Sequence, residues 1–523
     1  MITDLPLPDV SRADLTVKTE LRNSADREVR GTLRGKIGEA VFAKQVTVPA
    51  KQTITVTIDK SDAPVLAFRN PKLWWPNGYG EQNLYDFANH EHAVLSPEMV
   101  VENARDRVRR FRNHASVVLW CGANEHGPHG SMEPGMKEAV EKLDGTRWFI
   151  PNSILQPYMD GNGPYTYCGP QYYFGSAKGF KSETGLKALP VVESIRRMMP
   201  KRHQWPITQA GWGAHEWVNA GGNAGWCGDT EKAIARYGPY NSVEEFAGKA
   251  QLVSLEWAKA IFEAWNDKLW DDCTGVKIWM SNPVWPCLTF GIYDYYLEPT
   301  GGYFGCQKAC EPVHVQWSIK SGEVKVINNT LKPLDGVTAE ARIYQMDGRE
   351  YAKRAETLNC PANAATKCFD LVEADSEKTR SKDDLSKCYF IKLELKDRGG
   401  KLLSDNFYWH SRSNGEFEQL NHMPKIKVNA TLSQARTADG CKVTIELRND
   451  TKAVALATRL KLVDVATGLL VPAVIYSDNY VSLVPGETRQ VTAEFTGRNV
   501  SGDQVAVHLE GWNVQPAEIG RVK

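Results

Sequence analysis

The N-terminal stretch of the chain alternates apolar and polar positions, as β-strands do. Leu15, Val17 and Thr19 alternate with more polar neighbours, and a second alternating stretch runs through residues 54–58. Turn-forming Asn, Ser and Gly residues separate these stretches. The pattern predicts that residues 10–70 form a short all-β sandwich.

The C-terminal third has the same alternation and is long enough to form two sandwiches of this kind. One block covers about residues 312–410, and the other covers about residues 425–523. A weak internal repeat supports a shared fold, because the letters ELRN occur at 20–23 and again at 446–449. The sequence therefore predicts two further β-sandwiches at the C-terminal end.

The middle of the chain, about residues 88–305, has a different periodicity. Ser96 and the proline after it are typical of a helix start, and a capping box at Ser242 opens a second, amphipathic helix. Two apolar runs without alternation, at 116–122 and 275–280, are typical of parallel strands buried on both faces. Helices and buried strands in alternation predict an α/β domain.

Composition limits the classes of partner. The 523 residues suffice for three or four domains, and Lys+Arg equals Asp+Glu at 63 each. This balance argues against a nucleic-acid partner, which would need a basic face. No apolar run is long enough to span a membrane, so no transmembrane segment is predicted. The first residues lack the features of a signal peptide, which predicts a cytoplasmic protein if this start is native.

The eleven cysteines are irregularly spaced and include no Cys-x-x-Cys pair. Cys306 and Cys310 stand four residues apart, but no second pair or histidine cluster completes a zinc site. We expect most cysteines to be buried small hydrophobic residues in a reducing compartment. No metal and no other cofactor is predicted.

Two glutamates come directly after apolar runs. Glu125 follows residues 117–124, and Glu183 follows residues 179–182. In an α/β barrel, residues just beyond the strands' carboxyl ends face the active site. Glycoside hydrolysis needs one carboxylic acid to protonate the leaving oxygen and one carboxylate to attack the anomeric carbon. Each glutamate could equally cap a helix or pair with an arginine, and this reasoning leaves both interpretations open.

Three segments resemble glycoside hydrolase family 2. Residues 112–125 (RNHASVVLWCGANE) resemble its acid/base signature, and residues 180–185 (FKSETG) resemble its nucleophile segment. Residues 70–82 (NPKLWWPNGYGEQ) resemble the junction from its first immunoglobulin-like domain into its barrel. Within the family, the chain is most similar to the branch of β-mannosidases, exo-β-glucosaminidases and plant-type endo-β-mannosidases. The segments that carry this similarity are 189–200 (LPVVESIRRMMP), 246–252 (FAGKAQL) and 303–315 (YFGCQKACEPVHV).

The resemblance implies a retaining β-glycosidase whose substrate is an oligosaccharide or other glycoside, above all a β-mannoside. Glu125 would be the acid/base and Glu183 the nucleophile. Asn124 would bind the sugar 2-hydroxyl, and the Asn-Glu pair fits mannosidase-like members, whereas the glucosaminidases tend to carry Ser-Asp there. Trp279 would form the floor of the sugar site, with a core tryptophan as the alternative. Tyr172 is a further candidate for sugar binding and could equally be a loop aromatic.

Three histidines are expected near the same barrel mouth. His126, His129 and His215 could contact a substrate, but their spacing is not that of metal ligands. They are therefore weaker candidates than the two glutamates and the candidate sugar-binding residues.

The chain departs from the family pattern in two places. The family usually begins with a jelly-roll domain, whereas Met1 is expected to lie almost at the start of the first immunoglobulin-like domain here. Only about ten residues separate Phe87 from Ser96, where the family carries its first three barrel strands. Five strands can be placed, and three are absent. The five end near Cys121, Ile150, Tyr167, Lys181 and Met280.

The predicted fold class is thus multidomain α/β plus all-β, with an incomplete (β/α)8 (TIM) barrel flanked by immunoglobulin-like β-sandwiches. The domains are expected at 1–84 (sandwich), 85–305 (partial barrel), 306–415 (sandwich) and 416–523 (sandwich). We expect an open barrel arc with both glutamates at strand ends. Because the missing strands normally supply part of the pocket wall, we expect this chain alone to have very weak activity or none. The alternatives are a catalytically impaired or carbohydrate-binding relative, an exo-β-glucosaminidase, and a protein-interaction scaffold.

Overall fold

The computed structural model describes ten stretches of the chain, and they form two units. The units are Met1–Leu155 and Gln156–Lys523, and each is described by itself. The predicted domain boundaries after residues 84, 305 and 415 stay predictions. The described stretches are 2–4, 11–37, 40–69, 97–128, 130–154, 159–217, 225–371, 385–412, 415–501 and 504–522.

The first unit begins with antiparallel strands. β2 pairs with β1, β5 and β6, while β3 and β4 pair with each other. Leu15, Phe42 and Ile58 come from three different strands and meet in one buried core. The strands expected within residues 10–70 are therefore present. The strands are β1 (Ile2–Asp4), β2 (Arg12–Arg22), β3 (Val29–Ile37), β4 (Ala40–Val48), β5 (Thr53–Ile58) and β6 (Ala67–Arg69).

The rest of the first unit alternates helices with parallel strands. The helix expected after Ser96 begins at Pro97, and Ser96 itself lies outside the described residues. The prediction that strand 116–122 is buried on both faces is wrong. The strand runs over 119–123, its only partner within the described stretches is β8, and Cys121 is exposed. The elements are α1 (Pro97–Phe111), β7 (Leu119–Ala123), α2 (Met132–Leu143) and β8 (Trp148–Asn152).

The second unit begins with a parallel three-stranded sheet in the order β11-β10-β9. Helices precede or connect its strands, as in a (β/α) barrel. The elements are β9 (Met159–Asp160), α3 (Pro170–Ser176), β10 (Gly179–Gly185), α4 (Val192–Met198), α5 (Lys201–Gln204), α6 (Gly225–Ala235), α7 (Val243–Asn266), β11 (Cys273–Trp279) and α8 (Gly301–Ala309).

Five parallel strands therefore occur among the described residues, and four of them lie where the sequence predicts. The prediction of a strand that ends near Tyr167 is wrong, because β9 ends at Asp160 and Tyr167 lies in the connection to α3. A Gly-Pro pair at 163–164 precedes Tyr167, and proline cannot donate a hydrogen bond to a sheet. β10 continues to Gly185, so Glu183 lies within the strand and not beyond it.

Helix α7 is the central helix of this region. The predicted cap is present, because Ser242 Oγ accepts a hydrogen bond from the Glu245 backbone N–H at 3.2 Å. The predicted amphipathic character is wrong, since most of its residues are buried all round. Helices α3 and α8 and strand β11 all pack against it, which leaves little of the helix for solvent.

Two further β-sandwiches complete the second unit, as the alternation predicts. The first contains sheets β12-β13-β16 and β15-β14-β17-β18, and the second contains sheets β19-β20-β24-β22 and β23-β21-β25-β26. The strands are β12 (Val313–Trp317), β13 (Glu323–Asn328), β14 (Leu334–Gln345), β15 (Glu350–Cys360), β16 (Ala364–Asp370), β17 (Cys388–Lys396), β18 (Leu402–Ser411), β19 (Asn429–Arg436), β20 (Gly440–Arg448), β21 (Ala455–Asp464), β22 (Ile475–Tyr476), β23 (Val481–Leu483), β24 (Thr488–Thr496), β25 (Val505–Glu510) and β26 (Ala517–Val522).

A buried asparagine marks the same turn in all three sandwiches. Asn23, Asn328 and Asn449 stand at or just after the end of a strand, and each is at most 7% exposed. Each Oδ1 accepts from the backbone N–H two residues on, and each Nδ2 donates to the carbonyl four residues on. Such a side chain replaces backbone hydrogen bonds that the turn cannot make. The ELRN repeat thus has a structural basis.

A buried ion cluster joins the barrel region of the second unit to its last sandwich. Arg459 donates to Glu193 at 3.1 Å, to Glu298 at 3.0 Å and to Glu510 at 3.0 Å. Lys461 donates to Glu193 and Glu510 at 2.8 and 2.6 Å. Burial raises the pKa of Glu298 to about 7, against the opposing effect of Arg459. The cluster therefore contains a carboxyl group that changes charge near neutral pH.

The Glu298→Gln variant is expected to lose less stability than the wild type between pH 5 and pH 8. Because the pKa is higher in the folded state, the stabilisation by the protonated carboxyl is complete below about pH 4.5 and is lost as pH rises through about 7. The wild type should lose on the order of 3 kcal/mol more than the variant. Urea unfolding at four pH values measures this, with exposed Glu446→Gln as control. Parallel pH curves for wild type and Glu298→Gln would contradict the prediction.

The described residues also give information on membrane spans, metal sites and cysteines. None of their helices is both long and apolar enough to cross a membrane. No group of three or more His, Cys, Asp or Glu side chains among them is arranged to hold a metal ion. All eleven cysteines are free thiols and eight are buried, as expected for most of them.

Candidate active site

Asn124 and Glu125 form a turn directly beyond β7. Glu125 has a φ of +56°, a left-handed conformation that is uncommon outside glycine. Its backbone N–H donates to Ser153 Oγ at 2.9 Å, and that hydroxyl donates to Asn124 Oδ1 at 3.4 Å. Ser153 follows β8, so both parallel strands hold the turn. Conformations of this kind persist where the surrounding structure imposes them, and they cluster at functional sites.

Glu183 lies in β10 and is held by a tyrosine. The Tyr165 hydroxyl lies 2.6 Å from Glu183 Oε1 and donates to it. The backbone around the strand end is tight, because a Cβ on Gly185 would come within 2.6 Å of the Tyr165 Cα. Thr184 also bonds to the Pro164 carbonyl through its hydroxyl, at 3.2 Å. These contacts fix the connection after β9 against β10 and orient the Glu183 carboxylate.

Trp279 lies beside this pair. It ends β11 and is paired in register with Gly185, and its ring meets the Tyr165 ring edge-on at 6.1 Å. Phe290 packs against its other side, with ring centroids 4.7 Å apart. Trp279 is 40% exposed, which argues against the interpretation as a core residue. A partly exposed indole beside a carboxylate is a suitable surface for the apolar face of a sugar ring.

Charged groups surround the strand ends. Lys181 is buried and pairs with Asp160 at 2.7 Å, which links β10 to β9. Lys187 is also buried, and burial lowers its pKa to about 8. Its ammonium lies 5.7 Å from the centre of the Phe290 ring. Lys187, which follows β10, thus places a buried amine near Phe290, the residue that packs on Trp279.

The weaker candidates are less directly connected to this surface. Tyr172 lies on α3, is 45% exposed and meets the Tyr173 ring edge-on at 5.3 Å. His215 Nδ1 lies 2.7 Å from the Pro286 carbonyl, and its ring stacks on Trp285 at 6.3 Å. His126 follows the Asn124–Glu125 turn and is exposed. His129 lies outside the described residues.

Sequence reasoning missed two residues that hold the glutamates. Tyr165 follows a Gly-Pro pair, which signals a turn but not a contact 18 positions later. Ser153 follows a short strand and has no local signature. Both contacts depend on the pairing of neighbouring strands, which single-sequence patterns do not specify. Glu125 belongs to the first unit and Glu183 to the second, and the surroundings of each are described within its own unit.

Comparisons with known proteins decide the family. The profile described as "Glycosyl hydrolases family 2" matches residues 3–89, and that of the family's "TIM barrel domain" matches residues 73–161. A "Mannosidase Ig/CBM-like domain" matches residues 321–412, and an "Exo-beta-D-glucosaminidase Ig-fold domain" matches residues 406–514. The chain belongs to glycoside hydrolase family 2. By family it is a β-glycosidase.

Its relatives in family 2 carry different activities in their names. An exo-beta-D-glucosaminidase of Streptomyces avermitilis is 26% identical over 674 aligned positions, covering 98% of the chain and 73% of the relative. A mannosylglycoprotein endo-beta-mannosidase of Lilium longiflorum is also 26% identical, covering 81% of the chain and 55% of the relative. The first alignment is longer than the 523-residue chain, so that relative has residues without a counterpart here.

Solved structures support the fold. The exo-chitosanase CsxA of Amycolatopsis orientalis superimposes with a TM-score of 0.83 at 23% identity, covering 99% of the chain and 78% of that structure. A β-D-mannosidase from Dictyoglomus thermophilum gives a TM-score of 0.69 at 18% identity, covering 98% and 76%. The predicted fold class, a family 2 barrel domain with immunoglobulin-like domains, is confirmed. The short connection before Ser96 lies within residues 70–96, outside the described part.

Proposed function

We propose that this family 2 chain is a retaining β-glycosidase that hydrolyses β-mannosides. Glu183 is the nucleophile, and Glu125 is the acid/base. The observation that supports this most is the Glu183–Tyr165–Trp279 cluster at the end of a parallel strand. It joins an oriented carboxylate to a partly exposed aromatic surface, which are the two features that a glycosidase subsite needs.

The proposed reaction proceeds by double displacement. The Glu183 carboxylate attacks the anomeric carbon while the protonated Glu125 carboxyl gives its proton to the leaving oxygen. The anomeric C–O bond breaks and a covalent glycosyl-enzyme forms. Water then attacks this intermediate as Glu125 removes the water's proton, which releases the sugar with its β configuration retained. The Tyr165 hydroxyl orients the Glu183 carboxylate for attack.

The choice of β-mannoside rests on Asn124. A neutral amide can donate to or accept from a sugar 2-hydroxyl, whereas the 2-ammonium of glucosamine is better matched by a carboxylate. The second candidate is an exo-β-glucosaminidase. It is supported by the name of the Streptomyces relative and by the profile that matches residues 406–514.

Turnover of aryl β-glycosides separates these candidates. We expect slow hydrolysis of 4-nitrophenyl β-mannoside, with kcat/KM at least about tenfold above that for the β-glucosaminide, since a mismatched polar group costs about 1–3 kcal/mol. In Asn124→Asp the preference should shift toward the glucosaminide. The opposite ratio in the wild type would favour the second candidate. Sugar binding without any turnover would instead support a non-catalytic relative.

The Tyr165→Phe variant is expected to lower kcat by about 10- to 100-fold. The lost hydrogen bond to a charged group contributes about 1.5–3 kcal/mol, and the Glu183 carboxylate would no longer be held in one orientation. KM should change little, because the hydroxyl orients the nucleophile. The control is Tyr351→Phe on β15 of the first C-terminal sandwich, which should leave kcat unchanged. A rise in KM with unchanged kcat would show that Tyr165 binds substrate instead.

A further inference from the structure

The second unit contains a cavity of about 450 Å³ outside the candidate active site. One face of α7 lines it, and so does the end of β18 with the residues that follow. The start of α3 borders it as well. Glu183, Tyr165 and Trp279 are not among its lining residues. The residues that α7 contributes are Glu256, Lys259, Ala260 and Glu263.

Each of the two α7 glutamates uses only one carboxylate oxygen for the protein's own hydrogen bonds. Glu256 Oε2 accepts from Arg236 at 2.6 Å and from the Tyr167 hydroxyl at 2.8 Å. Glu263 Oε1 accepts from Asn406 at 2.7 Å and from the Tyr408 hydroxyl at 2.9 Å. The second oxygens, Glu256 Oε1 and Glu263 Oε2, make no hydrogen bond within the described residues, yet neither is a buried orphan. The Glu256 side chain is 13% exposed, so its Oε1 is accessible from the cavity, whereas the Glu263 carboxylate is almost fully buried in the wall.

The remaining wall contains aromatic side chains and hydrogen-bond donors. Tyr408 and Trp409 of β18 and Trp317 of β12 line the cavity, together with the donors Arg412 and Gln171. An accessible carboxylate oxygen on Glu256, aromatic rings and donor side chains suit a polyhydroxylated ring. Its hydroxyls donate to carboxylates, and its C–H face packs on an aromatic ring.

The charge of the lining residues and the volume of the cavity further restrict the class of ligand. Two arginines and Lys259 nearly balance the two glutamates, and the Lys259 ammonium is already bonded to Asn406 Oδ1 and to the Phe407 carbonyl at 3.0 and 2.6 Å. A strongly charged ligand is therefore not favoured. The volume lies within the range of about 300–1,000 Å³ of small-molecule sites. We propose that this cavity binds a neutral mono- or disaccharide at a site separate from Glu183.

Ligand-observed NMR on the whole chain tests the proposal, with D-mannose and β-1,4-mannobiose as probes. The Glu183→Gln variant is used as background, so that the result does not depend on catalysis. Gln171→Trp should weaken binding at least tenfold, because a large side chain would occupy the cavity mouth. Glu256→Gln should do the same, since an amide N–H₂ would replace the open acceptor while the amide oxygen keeps the contacts to Arg236 and Tyr167.

Gln490→Trp, at an exposed position on β24, is the matched control and should bind like the background. Thermal unfolding of each variant shows that it is folded. Absence of binding by the background at millimolar sugar overturns the proposal. So does binding that both cavity variants leave unchanged but Trp279→Ala abolishes, since that sugar would occupy the candidate active site. Absence of turnover by the wild type would count against the proposed function and leave the cavity test intact.

Discussion

The Glu183→Gln variant is expected to lose hydrolysis of aryl β-mannosides by about 10⁴-fold or more. The amide keeps the size of the carboxylate and can still accept a hydrogen bond from Tyr165, which lies 2.6 Å from Oε1 in the wild type. It cannot form the covalent glycosyl ester, because a neutral amide is a poor nucleophile. The loss should appear in kcat with every leaving group, since no substrate avoids the first displacement.

Mass spectrometry gives an independent measurement of the same role. A 2-deoxy-2-fluoro-β-mannosyl fluoride should form a stable ester with the nucleophile, and the labelled peptide should contain Glu183. Labelling accumulates with time, so it remains measurable where turnover is slow. Glu446→Gln, at an exposed position on β20, is the control and should label normally. A label on any other residue of an active sample would exclude Glu183 as the nucleophile.

The sandwiches and the long helix of this chain could be predicted from sequence because local patterns determine them. The alternation around Leu15 and the Ser242 capping box each specify an element within about ten residues, and both are present. The burial of α7 on nearly all sides could not be predicted in this way. It depends on α3, α8 and β11, which pack around it from distant parts of the chain.

The candidate site shows the same division between local and distant information. Glu125 and Glu183 were identified by motif, and each lies at a parallel strand with a hydrogen-bonded neighbour that fixes its surroundings. Those neighbours, Ser153 and Tyr165, come from adjacent strands or connections, and only strand pairing brings them near. The strand expected at Tyr167 was misplaced for a related reason. The apolar side chains of that segment pack against α7, and this packing includes the Tyr167–Trp257 ring contact at 5.4 Å.

The chemistry of the two glutamates makes different demands on their surroundings. A nucleophile needs a fixed carboxylate, which the Tyr165 hydroxyl provides at Glu183. An acid/base needs a carboxyl that reaches the leaving oxygen in one step and water in the next. Glu125 lies two residues beyond the end of β7 in a left-handed turn, and Ser153 holds its backbone. The assignment of these two roles stays a proposal, which the Glu183 and Glu125 variants test.

The Glu125→Ala variant is expected to lose activity in proportion to how much the leaving group needs a proton. With a phenyl mannoside the loss should be about 10²- to 10⁴-fold, the usual contribution of general acid–base catalysis. With a 2,4-dinitrophenyl mannoside the first step needs no acid, so the glycosyl-enzyme should form readily and then persist. Steady-state and burst kinetics on the two substrates measure this difference.

Added azide should restore turnover of the dinitrophenyl substrate by Glu125→Ala. The anion fits the space left by the carboxylate and attacks the intermediate without needing a base to remove a proton. The product should be a β-mannosyl azide, because two inversions at the anomeric carbon retain the configuration. Glu446→Ala is the control and should show no azide effect. An α-azide product, or an equal loss on both substrates, would exclude Glu125 as the acid/base, because a residue that only supports the fold would lower both rates together.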